Sequence, residues 1–191
     1  MNNYLNNNLL PLMDGIKTKN TDSDILISLG LEHRGSTQSF VIQFGNRIEI
    51  FWNRVFSDFA VNHVEVSDRI EVKGQERQID HLFSTPEGDF YLECKCNLNF
   101  DSEKSKASNR KVGEVLDSIN NTFDLKATGS YFVPVVDVIP NSDRVKYNNK
   151  GLAVLGVADI FNILPELPFT KDEYFSFLKN EVGSLLVNKG L

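Results

Sequence analysis

The sequence predicts an α/β protein in which a mixed central sheet is flanked by helices. Two amphipathic helical segments enclose a stretch that has the pattern of an antiparallel hairpin, and two short apolar runs typical of buried strands follow. With 191 residues, 41% of them hydrophobic and 24% charged, the whole chain 1–191 is expected to form a single domain with a sizeable core.

The first part of the chain is poor in structural signals. Residues 1–21 are rich in asparagine and predict a loosely held lead-in. Asp22 or Ser23 would cap a short helix that ends at Gly30. Four apolar residues of the lead-in are available for packing: Leu9, Leu10, Leu12 and Met13.

A long amphipathic helix is predicted over residues 36–59. Asn46, Glu49 and Asn53 are spaced three and four residues apart, so they form a polar stripe on this helix. The neighbouring apolar stripe recurs at helical spacing and is expected to face the core: Phe44, Ile48, Phe51, Trp52, Val55, Phe56 and Phe59.

Three strands are predicted next, over residues 69–73, 76–84 and 89–96. The sequence Thr85-Pro86-Glu87-Gly88 places proline and glycine in the order that a tight turn favours. The second and third strands should therefore form an antiparallel hairpin.

The remainder of the chain predicts a helix over residues 101–123, strands at 131–136 and 152–157, and a closing helix over 171–187. Asp101, Ser102 and Glu103 supply caps and first-turn acids for the first of these helices. Its buried stripe would be Val112, Val115, Leu116, Ile119 and Phe123.

Composition narrows the class of protein. The net charge of −6 and pI near 5.1 argue against a protein that coats nucleic acid along its whole surface, although basic residues can still be concentrated locally. No apolar run approaches the ~20 residues that a spanning helix needs. The first residues lack the basic region of a signal peptide, so a cytoplasmic location is expected.

The cysteines and histidines do not predict a zinc site. Cys94 and Cys96 lie two residues apart on one strand, which suits buried thiols better than a disulfide or a metal pair. His33, His63 and His81 do not have the spacing of metal ligands.

The strongest chemical signal comes from Asp80, Glu93 and Lys95. Successive side chains of a strand alternate between faces, so Glu93 and Lys95 share one face, and the hairpin can bring Asp80 to them. Mg²⁺ prefers oxygen ligands and needs only one or two carboxylates besides a phosphate oxygen. Asp80 and Glu93 would be those ligands, with the backbone carbonyl of Cys94 as an extra one. Lys95 would orient or deprotonate the attacking water and offset charge on a phosphodiester.

Other interpretations of these charges are available. Glu93 and Lys95 could form a surface ion pair on an edge strand, but Asp80 would then add a second acid to the same face with no partner. Glu71-Val72-Lys73 has the same Glu-x-Lys pattern. Because no acid upstream of it lies on a hairpin partner, we interpret it as a solvated strand face.

Asp80 on one hairpin strand, followed 13 residues later (93 − 80) by Glu93-Cys94-Lys95, resembles the PD-(D/E)XK nuclease superfamily. The resemblance covers about residues 40–136 and implies a restriction-endonuclease-like αβββαβ core. It also implies a catalytic and metal-binding role for Glu49, which lies on the preceding helix; a solvated helix residue is the alternative. Ile79 stands where the family often has proline, which bears on the local backbone rather than on metal chemistry.

A segment rich in amides and basic residues follows the motif, over residues 97–111. Such side chains can position phosphates and read base edges. The alternative is a solvated loop and helix face. The candidate DNA contacts are Asn97, Asn99, Lys104, Lys106, Asn109, Arg110 and Lys111.

The resemblance implies a sequence-specific, Mg²⁺-dependent endonuclease of double-stranded DNA, similar to a small type II restriction enzyme, in which Mn²⁺ can replace Mg²⁺. Cutting both strands implies a homodimer, and a separately encoded DNA methyltransferase is left open as a further partner. Two alternatives remain: a repair or recombination nuclease of the same superfamily, such as a resolvase or an Mrr-like enzyme, and a catalytically silent binding module.

Overall fold

The computed structural model describes residues 2–16, 38–64, 69–96, 102–149 and 151–188. The chain divides into two compact units, one made of Met1–Trp52 with Leu167–Leu191 and the other of Asn53–Glu166. The single domain stays a prediction. The short helix predicted after Asp22 lies outside the described residues. Within the described ranges, no helix has the length and apolar character needed to cross a membrane.

In the described residues three helices come first, five strands follow them, and the remaining strands lie between later helices. The helices are α1 (Asn3–Asn8), α2 (Leu10–Asp14), α3 (Gln38–Phe59), α4 (Ser102–Phe123), α5 (Asn141–Asn148), α6 (Val157–Ile163), α7 (Lys171–Phe177), a π-helical segment (Leu178–Val182) and α8 (Gly183–Asn188). The strands are β1 (Asn62–Val64), β2 (Arg69–Val72), β3 (Gln75–Gln78), β4 (His81–Thr85), β5 (Gly88–Cys94), β6 (Thr128–Phe132) and β7 (Ala153–Leu155).

The second unit is built on a mixed five-stranded sheet of order β1-β4-β5-β6-β7. Strands β1, β4 and β5 are antiparallel neighbours, whereas β5, β6 and β7 are parallel. Along the chain, α3, β1, β4, β5, α4 and β6 follow one another in the order αβββαβ, with β2 and β3 inserted after β1. The prediction of an α/β fold with a mixed sheet flanked by helices is confirmed.

Helices cover both faces of this sheet. Directly opposite residues of paired strands share a face, so Phe83 and Phe90 lie together on one side. There the Phe56 ring of α3 stacks on Phe83 with 4.4 Å between ring centroids. On the other side β6 packs against α4, where Gly129 faces the side chain of Leu116.

The hairpin of β4 and β5 forms as predicted. Thr85 pairs with Gly88, so Pro86 and Glu87 make a two-residue turn. The Thr85 hydroxyl accepts a hydrogen bond from the Glu87 backbone N–H at 3.1 Å. Gly88 has φ 146°, a conformation that side chains rarely adopt, which explains the glycine.

The strand predicted over residues 76–84 is wrong as one element. Among the described strands, β3 pairs with β2 in a separate two-stranded sheet, while β4 pairs with β1 and β5. Lys73 and Gly74, both at positive φ, close the β2–β3 hairpin in a two-residue turn. The chain therefore leaves one sheet after β3 and enters the other at β4, and Asp80 lies in the break between them.

Several predicted boundaries also need correction. β6 begins earlier and ends at Phe132, because a turn at Pro134 and Val135 follows it, closed by the Val136 N–H donating to the Val133 carbonyl at 3.2 Å. β7 ends at Leu155 because the next residue, Gly156, caps α6, with the Asp159 carboxylate accepting the Gly156 N–H at 2.7 Å. The short helices α5 and α6 were not predicted.

Residues 2–16 of the first unit are well packed, so the loose lead-in predicted over residues 1–21 is wrong for that part. The Asn2 side chain caps α1, and Leu5, Leu9, Met13 and Ile16 are buried. Leu10 and Leu12 are only partly buried. Aromatic rings of this unit pack together: Tyr4, Phe51, Trp52, Phe169 and Tyr174.

Gly156 is a position where only glycine fits. A Cβ there would lie 2.5 Å from the Asp137 carbonyl oxygen and 2.9 Å from that of Val136. We expect Gly156→Ala to destabilise the protein by about 1–3 kcal/mol in urea unfolding. Gly113→Ala is the matched control, because a Cβ on this α4 residue meets nothing within 4 Å. Equal stability of the two variants would contradict the close approach at Gly156.

His81 should make stability depend on pH. Its ring is fully buried, packs edge-on against Phe56, and has Nδ1 3.4 Å from Oδ1 of Asn53, while its Nε2 has no hydrogen-bond partner among the described residues. Burial, with a smaller effect of nearby His63 and an opposing effect of Glu93, lowers the pKa of His81 to about 3.

Because the unfolded chain binds a proton near pH 6.5 and the folded chain does not, stability is full above that pH and falls as the pH drops towards 3. From pH 7 to pH 5 we expect a loss of about 2 kcal/mol in the free energy of unfolding, measured with urea. In His81→Phe the free energy of unfolding should fall much less over the same pH range. A pH dependence as steep as that of the parent would refute the assignment.

Candidate active site

Glu93 is a charged residue inside the core of the second unit. It is 1% exposed, although it lies only one residue before the end of β5. Strand alternation puts Tyr91 and Glu93 on the same face, and the parallel register places Tyr131 of β6 beside Glu93. α4 covers this face, because Lys111 of α4 contacts Glu93. The arrangement places a carboxylate between the sheet and α4.

Both oxygens of the Glu93 carboxylate accept hydrogen bonds. Oε1 accepts from Lys95 Nζ at 2.8 Å and from Lys111 Nζ at 2.9 Å, and Oε2 accepts from the Tyr91 hydroxyl at 3.0 Å. Burial alone would raise the pKa of Glu93, but the two lysines outweigh it and hold that pKa below its usual value. The carboxylate is therefore ionised in the core.

Asp80 is anchored beside the same strand end. Its Oδ2 accepts the backbone N–H of Cys94 at 2.9 Å, and Cys94 is the residue that follows Glu93. Burial would lower the pKa of Lys95, but the charge of Glu93, with a smaller effect of Asp80, raises it. The structure thus brings together the three residues on which the sequence argument rested, Asp80, Glu93 and Lys95.

The two lysines remain accessible although their partner is buried. The side chains of Lys95 and Lys111 are 29% and 39% exposed, against 2% for that of Glu93. Lys95 follows the last residue of β5, where its N–H still donates to the Phe132 carbonyl at 2.8 Å. The parallel ladder with β6 therefore fixes the backbone at Lys95.

Lys111 has a closer role than the sequence suggested, because it contacts the carboxylate of the motif directly. Sequence reasoning assigned it only to DNA contact. One signal could have revealed it: Lys111 immediately precedes the buried Val112 and lies one turn before the buried Val115, so it borders the apolar stripe of α4.

Two tyrosines of the site were missed by sequence reasoning. The Tyr91 hydroxyl stays a donor to Glu93, because burial and then the charge of Glu93 raise its pKa. The Tyr131 hydroxyl lies 2.9 Å from both Ser108 Oγ and Asn109 Oδ1 on α4. The position of Tyr91, two residues before Glu93 on one strand face, was the available signal. Tyr131 had none, because its neighbour in space belongs to another strand.

The roles of the other predicted site residues stay predictions. Glu49 is partly exposed on α3 in the first unit, and its role as a ligand stays a prediction. Asn97, Asn99 and the side chain of Lys104 lie outside the described residues. Lys106 and Arg110 are exposed on α4, whereas Asn109 is partly buried against Tyr131. Their contacts with DNA stay predictions.

The prediction of two buried thiols holds for one cysteine. Cys94 is 7% exposed, but Cys96 is only partly buried, because it lies beyond the end of β5. The two cysteines do not form a disulfide with each other.

The donors at this place suit a hard divalent cation. Across the described ranges, no group of three or more His, Cys, Asp or Glu side chains is assembled for a metal, which does not favour a site built from protein ligands alone. Asp80 and Glu93 instead provide two carboxylates, and Glu93 is held ionised. In proteins generally, one or two carboxylates suffice for Mg²⁺ when substrate phosphate and water complete its coordination shell.

Comparison with known proteins leaves the family open. No protein-family model and no curated protein sequence matches this chain. Similar solved structures include protein VC1899 from Vibrio cholerae, with a TM-score of 0.41 and 12% identity over 89% of this chain and 40% of that one.

Can2 from Sulfobacillus thermosulfidooxidans in complex with cyclic tetra-adenylate gives a TM-score of 0.42 and 12% identity over 98% of this chain and 52% of that one. The small subunit of the heterodimeric restriction endonuclease R.BspD6I gives 0.40 and 14% identity, over 87% of this chain and 97% of that one. The chain thus spans about half or less of the first two proteins. Likenesses at this level do not assign it to a family.

Proposed function

We propose that this chain is a metal-dependent nuclease that hydrolyses phosphodiester bonds of double-stranded DNA. The observation that carries the proposal is the buried, ionised Glu93. Two partly exposed lysines contact its carboxylate, and Asp80 is anchored beside it. Buried ion pairs seldom stabilise a protein more than apolar residues of similar volume would. A cluster of two acids and two lysines at the end of a strand is therefore better explained by chemistry than by stability.

Asp80 and Glu93 would hold the metal, Mg²⁺ with Mn²⁺ as an alternative, and the Cys94 carbonyl and Glu49 are further candidate ligands. When bound, the metal supplies Lewis acidity and makes water a better nucleophile at neutral pH. Tyr91 fixes Oε2 of Glu93 and so orients the carboxylate. Lys95 and Lys111 have partly exposed side chains, and their ammonium groups would position the scissile phosphate and offset its developing charge.

The finer proposal is a sequence-specific endonuclease that resembles small type II restriction enzymes and acts as a homodimer. Digestion of plasmid and phage DNA with Mg²⁺ tests it. Discrete fragments would support sequence-specific cleavage, and a preference for branched substrates would replace it with a recombination nuclease. No cleavage at high enzyme concentration, with either Mg²⁺ or Mn²⁺, would refute the nuclease proposal.

We expect Asp80→Asn and Glu93→Gln each to reduce cleavage at least about a hundredfold, because each removes a charge that holds the metal. Asp80→Asn keeps an oxygen that can accept the Cys94 N–H, so folding should survive. Glu71→Gln is the matched control, since Glu71 belongs to the other Glu-x-Lys pattern and is exposed on β2. Equal activity of Glu71→Gln and Glu93→Gln would place the chemistry elsewhere.

Lys95→Ala should reduce cleavage more than it weakens DNA binding, since the ammonium acts on charge that develops in the transition state. We expect a loss of about a hundredfold or more in the rate of the chemical step under single-turnover conditions. A labelled duplex measures binding separately. If the rate and the affinity fell by the same factor, Lys95 would be a binding residue only.

A further inference from the structure

The inserted hairpin of β2 and β3 has no part in the site described above. In its register Ile70 lies opposite Arg77 and Val72 opposite Gln75, so these four residues share one face. Ile70 and Val72 are 3% and 5% exposed, and β2 packs against α4. Arg77 and Gln75 are exposed on the outer strand of that same face. The hairpin therefore presents them along the border of α4.

The hairpin and α4 form one charged surface. Lys73, at the hairpin turn, forms an ion pair with Glu114 of α4. On α4, Lys106, Arg110 and Glu114 follow one another at intervals of four residues and so lie on one stripe. The hydrogen bond from Lys73, followed by the charges of Lys73, Arg110 and Arg77, lowers the pKa of Glu114. We call Lys73, Arg77, Lys106, Arg110 and Glu114 the hairpin–helix surface.

This surface has a charge opposite to that of the chain as a whole. It combines four cations with one carboxylate, whereas the whole chain has a net charge of −6. The other face of the hairpin carries Arg69 together with two acids, Glu71 and Glu76. Positive charge is thus concentrated on the side that adjoins α4.

The surface also adjoins the candidate site. Arg110 directly precedes Lys111, whose Nζ contacts Glu93. At the other end of the hairpin, β3 ends at Gln78, two residues before Asp80. Along the chain, Arg110 of α4 and the end of the hairpin are thus each within one or two residues of a site residue, Lys111 and Asp80 respectively.

We propose that the hairpin–helix surface binds the phosphate backbone of double-stranded DNA, with the β2–β3 hairpin and α4 contacting it together beside Glu93. This inference rests on the proposed nuclease function and names the elements that hold its substrate. Lys and Arg supply the affinity for phosphates, and a two-stranded ribbon has dimensions that suit the major groove of a duplex. Residues 69–78 contain no aromatic side chain, which disfavours single strands, since those are bound by stacking on aromatic rings.

The test measures binding separately from cleavage. In the Asp80→Asn background, the affinity for a labelled DNA duplex is measured by fluorescence anisotropy at several salt concentrations. The variant combines Lys73→Asn with Arg77→Gln; asparagine tolerates the positive φ of 53° at position 73. We expect each lost phosphate contact to weaken binding roughly fivefold to tenfold at 0.1 M salt and the salt slope to fall by about 2 in total.

Arg69→Gln is the matched control. Arg69 is on the same hairpin, is exposed, and pairs with Glu76 at 3.2 Å, but it lies on the opposite face. Its affinity for the duplex should equal that of the parent. Urea unfolding of all variants shows whether the hairpin still folds, and Arg77→Gln alone serves if the double variant does not.

The outcomes separate the two proposals. If the parent binds the duplex and the Lys73 and Arg77 variant binds as well as Arg69→Gln does, the hairpin proposal is overturned and the nuclease proposal stands. If the parent binds no duplex and the unmutated chain cleaves none, the nuclease proposal fails and the hairpin proposal with it. Tighter binding of a single strand than of the duplex, with the same loss on mutation, would overturn the duplex as the partner.

Discussion

The contact of a buried carboxylate with two lysines is the interaction on which the second unit depends. Glu93 can remain ionised in the core only because Lys95 and Lys111 converge on Oε1 and Tyr91 donates to Oε2. Removal of either lysine would leave buried charge with less compensation. The C-terminal end of β5 and the middle of α4 are thus fixed relative to each other by charge as well as by apolar packing.

This interaction follows from the topology of the sheet. β5 and β6 are parallel neighbours, and a parallel connection requires a crossover, here made by α4. The crossover lays α4 along the face that contains Tyr91 and Glu93, so Lys111 reaches Glu93 from 18 residues further along the chain. Tyr131 of β6 reaches Ser108 and Asn109 of the same helix. The crossover helix therefore supplies the second lysine of the site, and hydrogen bonds from Tyr131 hold that helix on the sheet.

The inserted hairpin precedes Asp80 and determines how the chain enters β4. Because β3 belongs to a different sheet from β4, the chain breaks its pairing at Ile79 and Asp80. Asp80 therefore lies outside both strands, and the direction of its side chain is not set by strand alternation. Its carboxylate accepts the Cys94 N–H at the end of β5. The same insertion places the cations Lys73 and Arg77 next to α4, so local charge differs from the acidic character of the whole chain.

The sequence by itself determined what depends on short-range periodicity. Strand alternation put Glu93 and Lys95 on one face, the turn chemistry of Pro86 and Gly88 set the β4–β5 hairpin, and the helical repeats located α3 and α4. Only the tertiary structure decided the partnership of Lys111 with Glu93, because that contact depends on where the crossover helix lies on the sheet. It also decided the break at Asp80, since whether a run of strand residues serves one sheet or two depends on which distant strands pair with it.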